Sequence, residues 1–144
     1  MIDNELIEMI KDHEGTKKKN GRHVLYKCTA GKWTIGYGVN LENGISDDIA
    51  EYMLIALLRE KEEDLVRNIK FWDELPVSIK RVLMDMCYNL GISRLLGFKK
   101  TLAFLEKGDY VNAAKEMLDS KWAKQVGRRA LRLSQIVAKA AINR

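Results

Sequence analysis

Several residue types are scarce in this chain, and each scarcity excludes a class of protein. Two cysteines among 144 residues are too few for a disulfide framework, which is typical of proteins made in a reducing compartment. A single proline and a hydrophobic content of 47% argue against a disordered chain. We therefore expect one compact, helix-rich domain that is long enough to bury a core.

Long apolar runs are missing as well. Residues 1–12 alternate acidic and apolar side chains and lack the uninterrupted apolar segment of a secretory signal peptide. No apolar run approaches the roughly 20 residues that a transmembrane helix requires. The sequence therefore predicts a soluble protein made in the cytoplasm, and a substrate beyond the membrane would require a separate protein to release it.

Positive charge is in excess: the net charge is +5 and the isoelectric point is near 9.2. Such a protein is attracted to polyanions, which include nucleic acid, anionic lipid and cell-wall polymers. One alternative is a nucleic-acid-binding module that uses residues 121–132, but no recognised reader motif is present. A second alternative is a membrane-active amphipathic helix at residues 128–144, although its apolar positions are more typical of packing into a helical bundle.

The N-terminal part of the sequence predicts one helix and a small sheet. Asp3 is a candidate N-cap, apolar residues recur at helical spacing, and Gly15 ends the helix. Residues 16–22 are basic and polar and are expected to form a loop around an Asn20-Gly21 turn. Three short β-rich runs follow, the first two joined by a glycine-containing turn: 24–26, 33–35 and 39–41.

The remaining sequence has the period of α-helices. Ser46 is expected to cap a long helix that extends to about residue 70, with a charged second half exposed to solvent between two lobes. Further helices are predicted at 76–90, 98–107, 110–120 and 128–142.

This layout predicts an α+β fold with two lobes and a cleft between them. Neither internal repeats nor low-complexity segments interrupt it. The β-containing lobe is expected at about 14–45, the connecting helix at about 46–70, and the helical lobe at about 71–144 together with 1–13.

Three side chains in the N-terminal part have the chemistry that glycosidic bond cleavage requires. Glu14 ends the first helix and is a candidate general acid, whose protonated form burial would favour. Cys28 and Thr34 lie six positions apart on either side of the predicted turn. A Cys28 thiolate could act as base or nucleophile, and the Thr34 hydroxyl could hold a water molecule.

Each of these residues, taken singly, also has an ordinary structural interpretation. Glu14 could be a solvated carboxylate at a helix end, Cys28 a half-buried small apolar side chain, and Thr34 a favourable strand residue. The other cysteine, Cys87, lies within an apolar helical run and is expected to be inert core.

The order of Glu14, Cys28 and Thr34, with Thr34 in the segment T-I-G-Y-G, resembles the catalytic residues of the phage-type lysozymes, a family of muramidases. The resemblance extends over nearly the whole chain. The segment between Glu14 and Cys28 is longer than is usual in the family. Further segments match in the same order: Tyr88-Asn89-Leu90-Gly91, Gly97-Phe98, Ser120-Lys121-Trp122 and Arg129-Ala130.

The resemblance implies a lysozyme-like fold and an endolysin that hydrolyses the β-1,4 bond between N-acetylmuramic acid and N-acetylglucosamine in bacterial peptidoglycan. Glu14 would be the general acid, Cys28 the base or nucleophile, and Thr34 would position water. Whether the anomeric configuration is inverted or retained stays open. Arg129 matches a family arginine that lies close to the acid and is expected to orient it. Sugar contacts are expected from Asn40, Tyr88, Thr101 and Glu116.

The same resemblance implies a monomer whose partner is bacterial peptidoglycan. The protein is expected to stay in the host cytoplasm until a separate holin-type membrane protein releases it, and nucleic acid is not an expected partner. No cofactor or metal is expected, because His13 and His23 lack further ligands at suitable spacing.

Overall fold

A computed structural model of the chain describes residues 1–142. The chain divides into two compact units, Met1–Tyr52 and Met53–Arg144, which we call the β unit and the helical unit. The fold is α+β, as predicted, with eight α-helices and five short strands among the described residues. Residues 1–13 fall in the β unit here, so their predicted assignment to the helical lobe stays a prediction.

The β unit begins with α1 (Asn4–Glu14). The carboxylate of Asp3 accepts a hydrogen bond from the backbone N–H of Leu6 at 2.9 Å, which is the predicted N-cap. Gly15 ends the helix with a φ of 63°, a value that favours glycine. The capping signals in the sequence therefore located both ends of α1, and Glu14 is its last residue.

Five strands of two or three residues follow α1 and form two antiparallel sheets. The first sheet pairs β1 (Lys18–Lys19) with β2 (Arg22–His23), and the second contains β3 (Tyr26–Lys27), β4 (Trp33–Ile35) and β5 (Val39–Asn40) in that order. Thr34, in the middle of β4, is paired with Tyr26 on one side and Asn40 on the other. Thr34 therefore lies at the centre of the second sheet.

The expected loop at residues 16–22 is wrong in part, because β1 and β2 form a hairpin there. Asn20 and Gly21 link the two strands with φ values of 53° and 77°, the left-handed geometry of tight hairpin turns. The turn signal was therefore interpreted correctly. The strands were missed because lysine has a low strand propensity, and because two residues are too few to show alternation.

The long helix α2 (Asp47–Asn68) follows the second sheet. Ser46 Oγ accepts a hydrogen bond from the backbone N–H of Ile49 at 3.3 Å, as expected of an N-cap. Leu65 is the one buried residue of this helix. The division between the two units falls within α2.

The helical unit continues with six further α-helices among the described residues: α3 (Val77–Leu90), α4 (Ile92–Leu96), α5 (Lys99–Lys107), α6 (Tyr110–Leu118), α7 (Lys121–Val126) and α8 (Arg128–Ala140). The four predicted helices correspond to α3, α5, α6 and α8, and their ends differ from the prediction by two residues or fewer. Pro76 was expected to be the first residue of α3. It is the N-cap of this helix, which begins one residue later at Val77.

The two shortest helices, α4 and α7, were not predicted. They contain five and six residues, which is less than two turns, so no apolar period can develop. The start of α7 nevertheless has a local signal, because Ser120 Oγ accepts a hydrogen bond from the backbone N–H of Ala123 at 3.1 Å.

The hydrophobic core lies in the helical unit. Within residues 1–142, every buried hydrophobic residue is found between Leu65 and Ala140. Trp122 packs edge-on against Phe98 and donates a hydrogen bond from Nε1 to Asn89 Oδ1 at 2.8 Å. Cys87 is fully buried in this core, which confirms its predicted structural role.

The apolar face of α8 belongs to the same core. Ala130, Leu133 and Val137 are buried where α8 packs against α3 and α6, as the bundle-packing interpretation predicted. Among the described helices, none combines the length and the apolar composition needed to cross a membrane. Residues 143–144, the end of the proposed membrane-active segment, lie outside the described residues.

Candidate active site

Cys28 and Thr34 are brought together by the tight turn between β3 and β4. Cys28 follows β3 directly, and its backbone N–H donates a hydrogen bond to the carbonyl of Lys32 at 3.0 Å. The backbone N–H of Gly31 donates to the carbonyl of Cys28 at 2.8 Å. These two bonds close the turn, and they place the Cys28 side chain beside Thr34 on the neighbouring strand.

The thiol of Cys28 lies among hydrogen-bond donors. The backbone N–H of Lys32 has the largest effect, followed by the backbone N–H of Ala30, and the Thr34 hydroxyl and the Cys28 amide contribute as well. These donors hold the pKa of the Cys28 thiol below its ordinary value, although desolvation opposes them. The turn therefore favours the thiolate, which is the reactive form of cysteine.

Thr34 is the one buried residue in the β unit, with 3% of its surface exposed. Its hydroxyl donates a hydrogen bond to the carbonyl of Lys32 at 2.9 Å and also interacts with the sulfur of Cys28. A hydroxyl has a single proton and can donate it to one acceptor at a time. The Thr34 hydroxyl is thus bonded to the Lys32 carbonyl and lies beside the Cys28 thiol.

Glu14 lies against the turn that joins β4 to β5. A Cβ atom placed on Gly38 would be 2.5 Å from Oε2 of Glu14 and 2.8 Å from its Cδ, so any other residue at position 38 would displace the carboxylate. Gly38 also has a φ of 77°, which favours glycine. The second glycine of the T-I-G-Y-G segment is therefore required by the position of Glu14.

The expectation that burial protects Glu14 is not met within the described structure, because this residue is exposed. The physical reason is its position at the end of a helix that has no buried residue. Glu14 contacts Gly38 through its carboxylate and methylene stem.

Tyr37, between the two glycines of this turn, contacts two basic side chains that the sequence did not connect with the site. The ammonium of Lys11 lies 5.4 Å from the centre of the Tyr37 ring, and the His23 ring meets Tyr37 edge-on at 5.1 Å. His23 Nδ1 is 2.7 Å from the hydroxyl of Thr16. These contacts attach the β1–β2 hairpin to the turn that holds Glu14.

Comparison with known families agrees with this arrangement. A family model described as phage lysozyme matches residues 11–139, which is most of the chain. The chain belongs to the phage lysozyme family. It is accordingly a glycoside hydrolase of the lysozyme type, with peptidoglycan as its substrate.

Individual relatives share less than 30% sequence identity with this lysozyme, but the alignments cover most of each chain. An endolysin from Acyrthosiphon pisum secondary endosymbiont phage 1 is 29% identical and aligns with 81% of this chain and 75% of its own. Two proteins of Dictyostelium discoideum described as probable T4-type lysozymes 1 and 2 are 24% and 26% identical. They align with 94% and 92% of this chain, and with 95% and 86% of their own lengths.

Arg129 of the lysozyme forms a well-defined ion pair within the helical unit. Its Nε donates to Asp85 Oδ1 at 2.7 Å, and its Nη2 donates to the backbone carbonyl of Asp85 at 3.2 Å. The two bonds hold the guanidinium in one orientation. The sequence did not identify Asp85 as the partner. The expected role of Arg129 in orienting Glu14 concerns residues of different units and stays a prediction.

The four expected sugar contacts have different environments in the lysozyme. Asn40 uses its side-chain oxygen to accept a hydrogen bond from the backbone N–H of Glu42 at 2.9 Å. Tyr88 is 41% exposed and, with Trp72, lines an open pocket of about 670 Å³ in the helical unit. Glu116 is half-buried on α6.

Thr101 is the exception among these four residues. It is 3% exposed and lies on the inner face of α5. Its burial gives no support to the expected sugar contact, which stays a prediction.

Sequence reasoning also missed a groove of about 680 Å³ between α3 and α8. It is lined by four arginines, Arg81, Arg128, Arg129 and Arg132, together with Asp85 and apolar side chains. Because these arginines come from two helices far apart in sequence, no local motif could have identified the groove. Within the described part of the chain, no cluster of His, Cys, Asp and Glu has the composition of a metal site.

Proposed function

We propose that this lysozyme hydrolyses the β-1,4 bond between N-acetylmuramic acid and N-acetylglucosamine, with Glu14 as general acid and Cys28 as base or nucleophile. The observation that supports this assignment is the position of the Cys28 thiol at the β3–β4 turn, where neighbouring backbone amides and the Thr34 hydroxyl lower its pKa. A base or nucleophile requires the thiolate that they stabilise.

Glu14 supplies the proton in this mechanism. Its carboxyl group protonates the glycosidic oxygen as the bond to the anomeric carbon breaks, and the oxygen leaves as a hydroxyl group. Glu14 is exposed in the free protein, and a bound glycan would exclude water from it. Removing water disfavours the charged carboxylate and so favours the acid form that the step requires.

Cys28 completes the reaction in one of two ways. In the inverting route, the thiolate takes a proton from a water molecule, and the resulting hydroxide oxygen bonds to the anomeric carbon from the opposite face. In the retaining route, the sulfur itself bonds to that carbon, and water later displaces it with Glu14 acting as base. The Thr34 hydroxyl stabilises the thiolate in both routes and positions the attacking water.

Several finer assignments form part of the same proposal. Arg129 orients Glu14, and Asn40, Tyr88 and Glu116 contact the glycan. The protein acts as a monomer, stays in the host cytoplasm during synthesis and reaches peptidoglycan after a holin-type protein opens the membrane. The family membership supports these assignments by resemblance.

The decisive experiment measures the sugar at each new reducing end after digestion of purified peptidoglycan. The wild-type protein is expected to leave N-acetylmuramic acid there, as identified by mass spectrometry after borohydride reduction. Glu14→Gln should lose about 10²- to 10⁴-fold in rate, the typical contribution of a general acid. Its melting temperature should stay unchanged, because Glu14 is exposed.

Glu8→Gln is a matched control, since Glu8 is another exposed glutamate on α1. This variant should keep wild-type activity. N-acetylglucosamine at the new reducing ends would contradict the proposed bond. Full activity of Glu14→Gln would contradict the role of Glu14 as general acid.

A further inference from the structure

The sequence around the candidate catalytic residues contains positive charge only. Between Gly15 and Leu41 there are six lysine or arginine residues and no aspartate or glutamate. This segment contains Cys28 and Thr34, and it begins directly after Glu14. Positive charge is therefore concentrated in this one segment of the β unit, which also holds two of the candidate catalytic residues.

Within this segment, the lysines after β2 are already in contact with other groups. The ammonium of Lys27 lies 4.8 Å from the centre of the Trp33 ring, a cation–π contact. Lys32 forms a long ion pair of 3.9 Å with Glu42. These two lysines therefore have local structural partners.

Lys17, Lys18 and Lys19 differ from them. All three are exposed, and none forms an ion pair or a ring contact with any residue in the range 1–142. They lie at the start of the β1–β2 hairpin, where Lys18 is paired with His23 across the two strands. Three consecutive lysines are thus exposed on one short hairpin without a protein anion to neutralise them.

The hairpin that holds these lysines is attached to the position of Glu14. The His23 ring contacts Tyr37, which directly precedes Gly38, and Gly38 contacts the Glu14 carboxylate. The backbone N–H of Val24 also donates a hydrogen bond to the carbonyl of Lys17 at 2.9 Å, which closes the base of the hairpin. The ammonium groups are therefore presented from a structured element next to the candidate acid.

We propose that Lys17, Lys18 and Lys19 bind anionic groups, carboxylate or phosphate, that are covalently attached to the glycan chain being cut. This inference rests on the proposed function. Lysine ammonium groups on flexible stems are suited to point-charge attraction and do not demand the fixed geometry that arginine favours. They suit a substrate on which the position of the negative charges varies from one repeat to the next.

The effect of the three lysines on binding is expected to be modest, because their side chains are exposed. An exposed ion pair contributes little by itself, but three adjacent charges act on the same polyanion and also increase the rate of encounter. The lysines should therefore lower the concentration of wall needed for half-maximal rate and leave the maximal rate unchanged. Salt should weaken the effect, because exposed charges are screened.

The test compares two triple variants of the full chain on purified peptidoglycan at low salt. K17Q/K18Q/K19Q removes the hairpin charges, and K99Q/K100Q/K107Q removes three exposed lysines of the helical unit, so the net charge changes equally. The hairpin variant should raise the half-saturating wall concentration by about threefold to tenfold, as three weak exposed pairs allow, and the control by less than about twofold.

Two chemically treated preparations of the cell wall distinguish carboxylates from phosphates as the anionic groups that the lysines bind. Amidation of the carboxylates should abolish the difference between wild type and hairpin variant if peptide carboxylates are bound. Removal of phosphate polymers with hydrofluoric acid should abolish it if phosphates are bound. Either result supports the proposal. A difference that persists on a wall treated in both ways would overturn it, and so would equal effects of the two triple variants.

The maximal rate and the binding of an inactive protein separate this inference from the proposed function. A lower maximal rate with an unchanged half-saturating concentration would overturn the binding role of the lysines. If the wild type releases no reducing ends from any wall, the proposed function fails instead. Cosedimentation of the Glu14→Gln protein with peptidoglycan, with and without the three hairpin substitutions, then measures the contribution of the lysines alone.

Discussion

The β unit and the helical unit differ in how their structures are maintained. In the β unit, Thr34 is the single buried residue, and the candidate catalytic groups are positioned by turns, caps and short strand pairs. The helical unit contains every buried hydrophobic residue of the described chain. The comparison indicates that the position of the candidate catalytic groups depends on local hydrogen bonds, whereas the stability of the fold depends on apolar burial in the helical unit.

The two cysteines show the same contrast within one residue type. Hydrogen-bond donors at the turn lower the pKa of the Cys28 thiol, and burial in the core raises the pKa of the Cys87 thiol. Their positions in the fold therefore shift the two pKa values in opposite directions, which favours the thiolate form at Cys28 and the thiol form at Cys87.

The largest expected effect on stability comes from a core deletion in the helical unit. Leu83 is 1% exposed, so Leu83→Ala should lower the free energy of unfolding by about 2–5 kcal/mol, as buried leucine truncations do. Leu25 of the β unit is half exposed, and Leu25→Ala should cost less than about 1 kcal/mol. Urea denaturation measures both, and equal losses would remove the contrast between the units.

Substitutions at Cys28 should affect activity much more than stability. Cys28→Asp should keep substantial activity, because a carboxylate can also act as base or nucleophile, and Cys28→Ser should lose most of it, because a hydroxyl is far less acidic. Initial rates on peptidoglycan, together with melting temperatures, provide the measurement. Cys87→Ala serves as the control and should reduce stability more than the rate per folded molecule. Equal activity of the two Cys28 variants would reduce Cys28 to a scaffold role.

The smallest expected effect is a shift in the reactivity of the Cys28 thiol with pH. Iodoacetamide should modify Cys28 in the native protein, should not modify Cys87, and should inactivate the enzyme. Because the pKa of the Cys28 thiol is lowered, its alkylation rate should stay high at pH values just below the pKa of an ordinary cysteine. The rate should fall when the pH drops through the lowered pKa of Cys28.

Thr34→Val sharpens this measurement, since it removes one of the donors that stabilise the thiolate. The midpoint of the alkylation profile should move to higher pH. The stabilisation of the folded state that the thiolate provides is present at high pH and lost as pH falls, so it should also shrink in this variant. An unchanged midpoint would show that the backbone donors alone determine the reactivity of Cys28.

Local sequence signals predicted the regular elements well where an element was long or capped. α1 was located by Asp3 and Gly15, and α3, α5, α6 and α8 by their apolar period. The β1–β2 hairpin, α4 and α7 were missed, because elements of two to six residues cannot show a period.

The sequence predicted which residues form the candidate site better than it predicted their burial and their partners. Cys28 and Thr34 were expected to meet across a turn, and their side chains do interact. The exposure of Glu14 corresponds to the structural alternative and not to the buried general acid that the mechanism favoured. The burial of Thr101 and the ion pair of Arg129 with Asp85 were not anticipated. Each of these depends on neighbours that are distant in the chain.

The sequence by itself determined the fold class, the family and the residues with suitable chemistry, because caps, apolar period and the T-I-G-Y-G segment are all local patterns. Only the tertiary structure decided which side chains are buried or paired and in which direction the pKa of each thiol is shifted. The reason is physical: the environment of a side chain is the sum of contacts from separate elements, such as the Lys32 and Ala30 amides around Cys28 or the Gly38 backbone against Glu14.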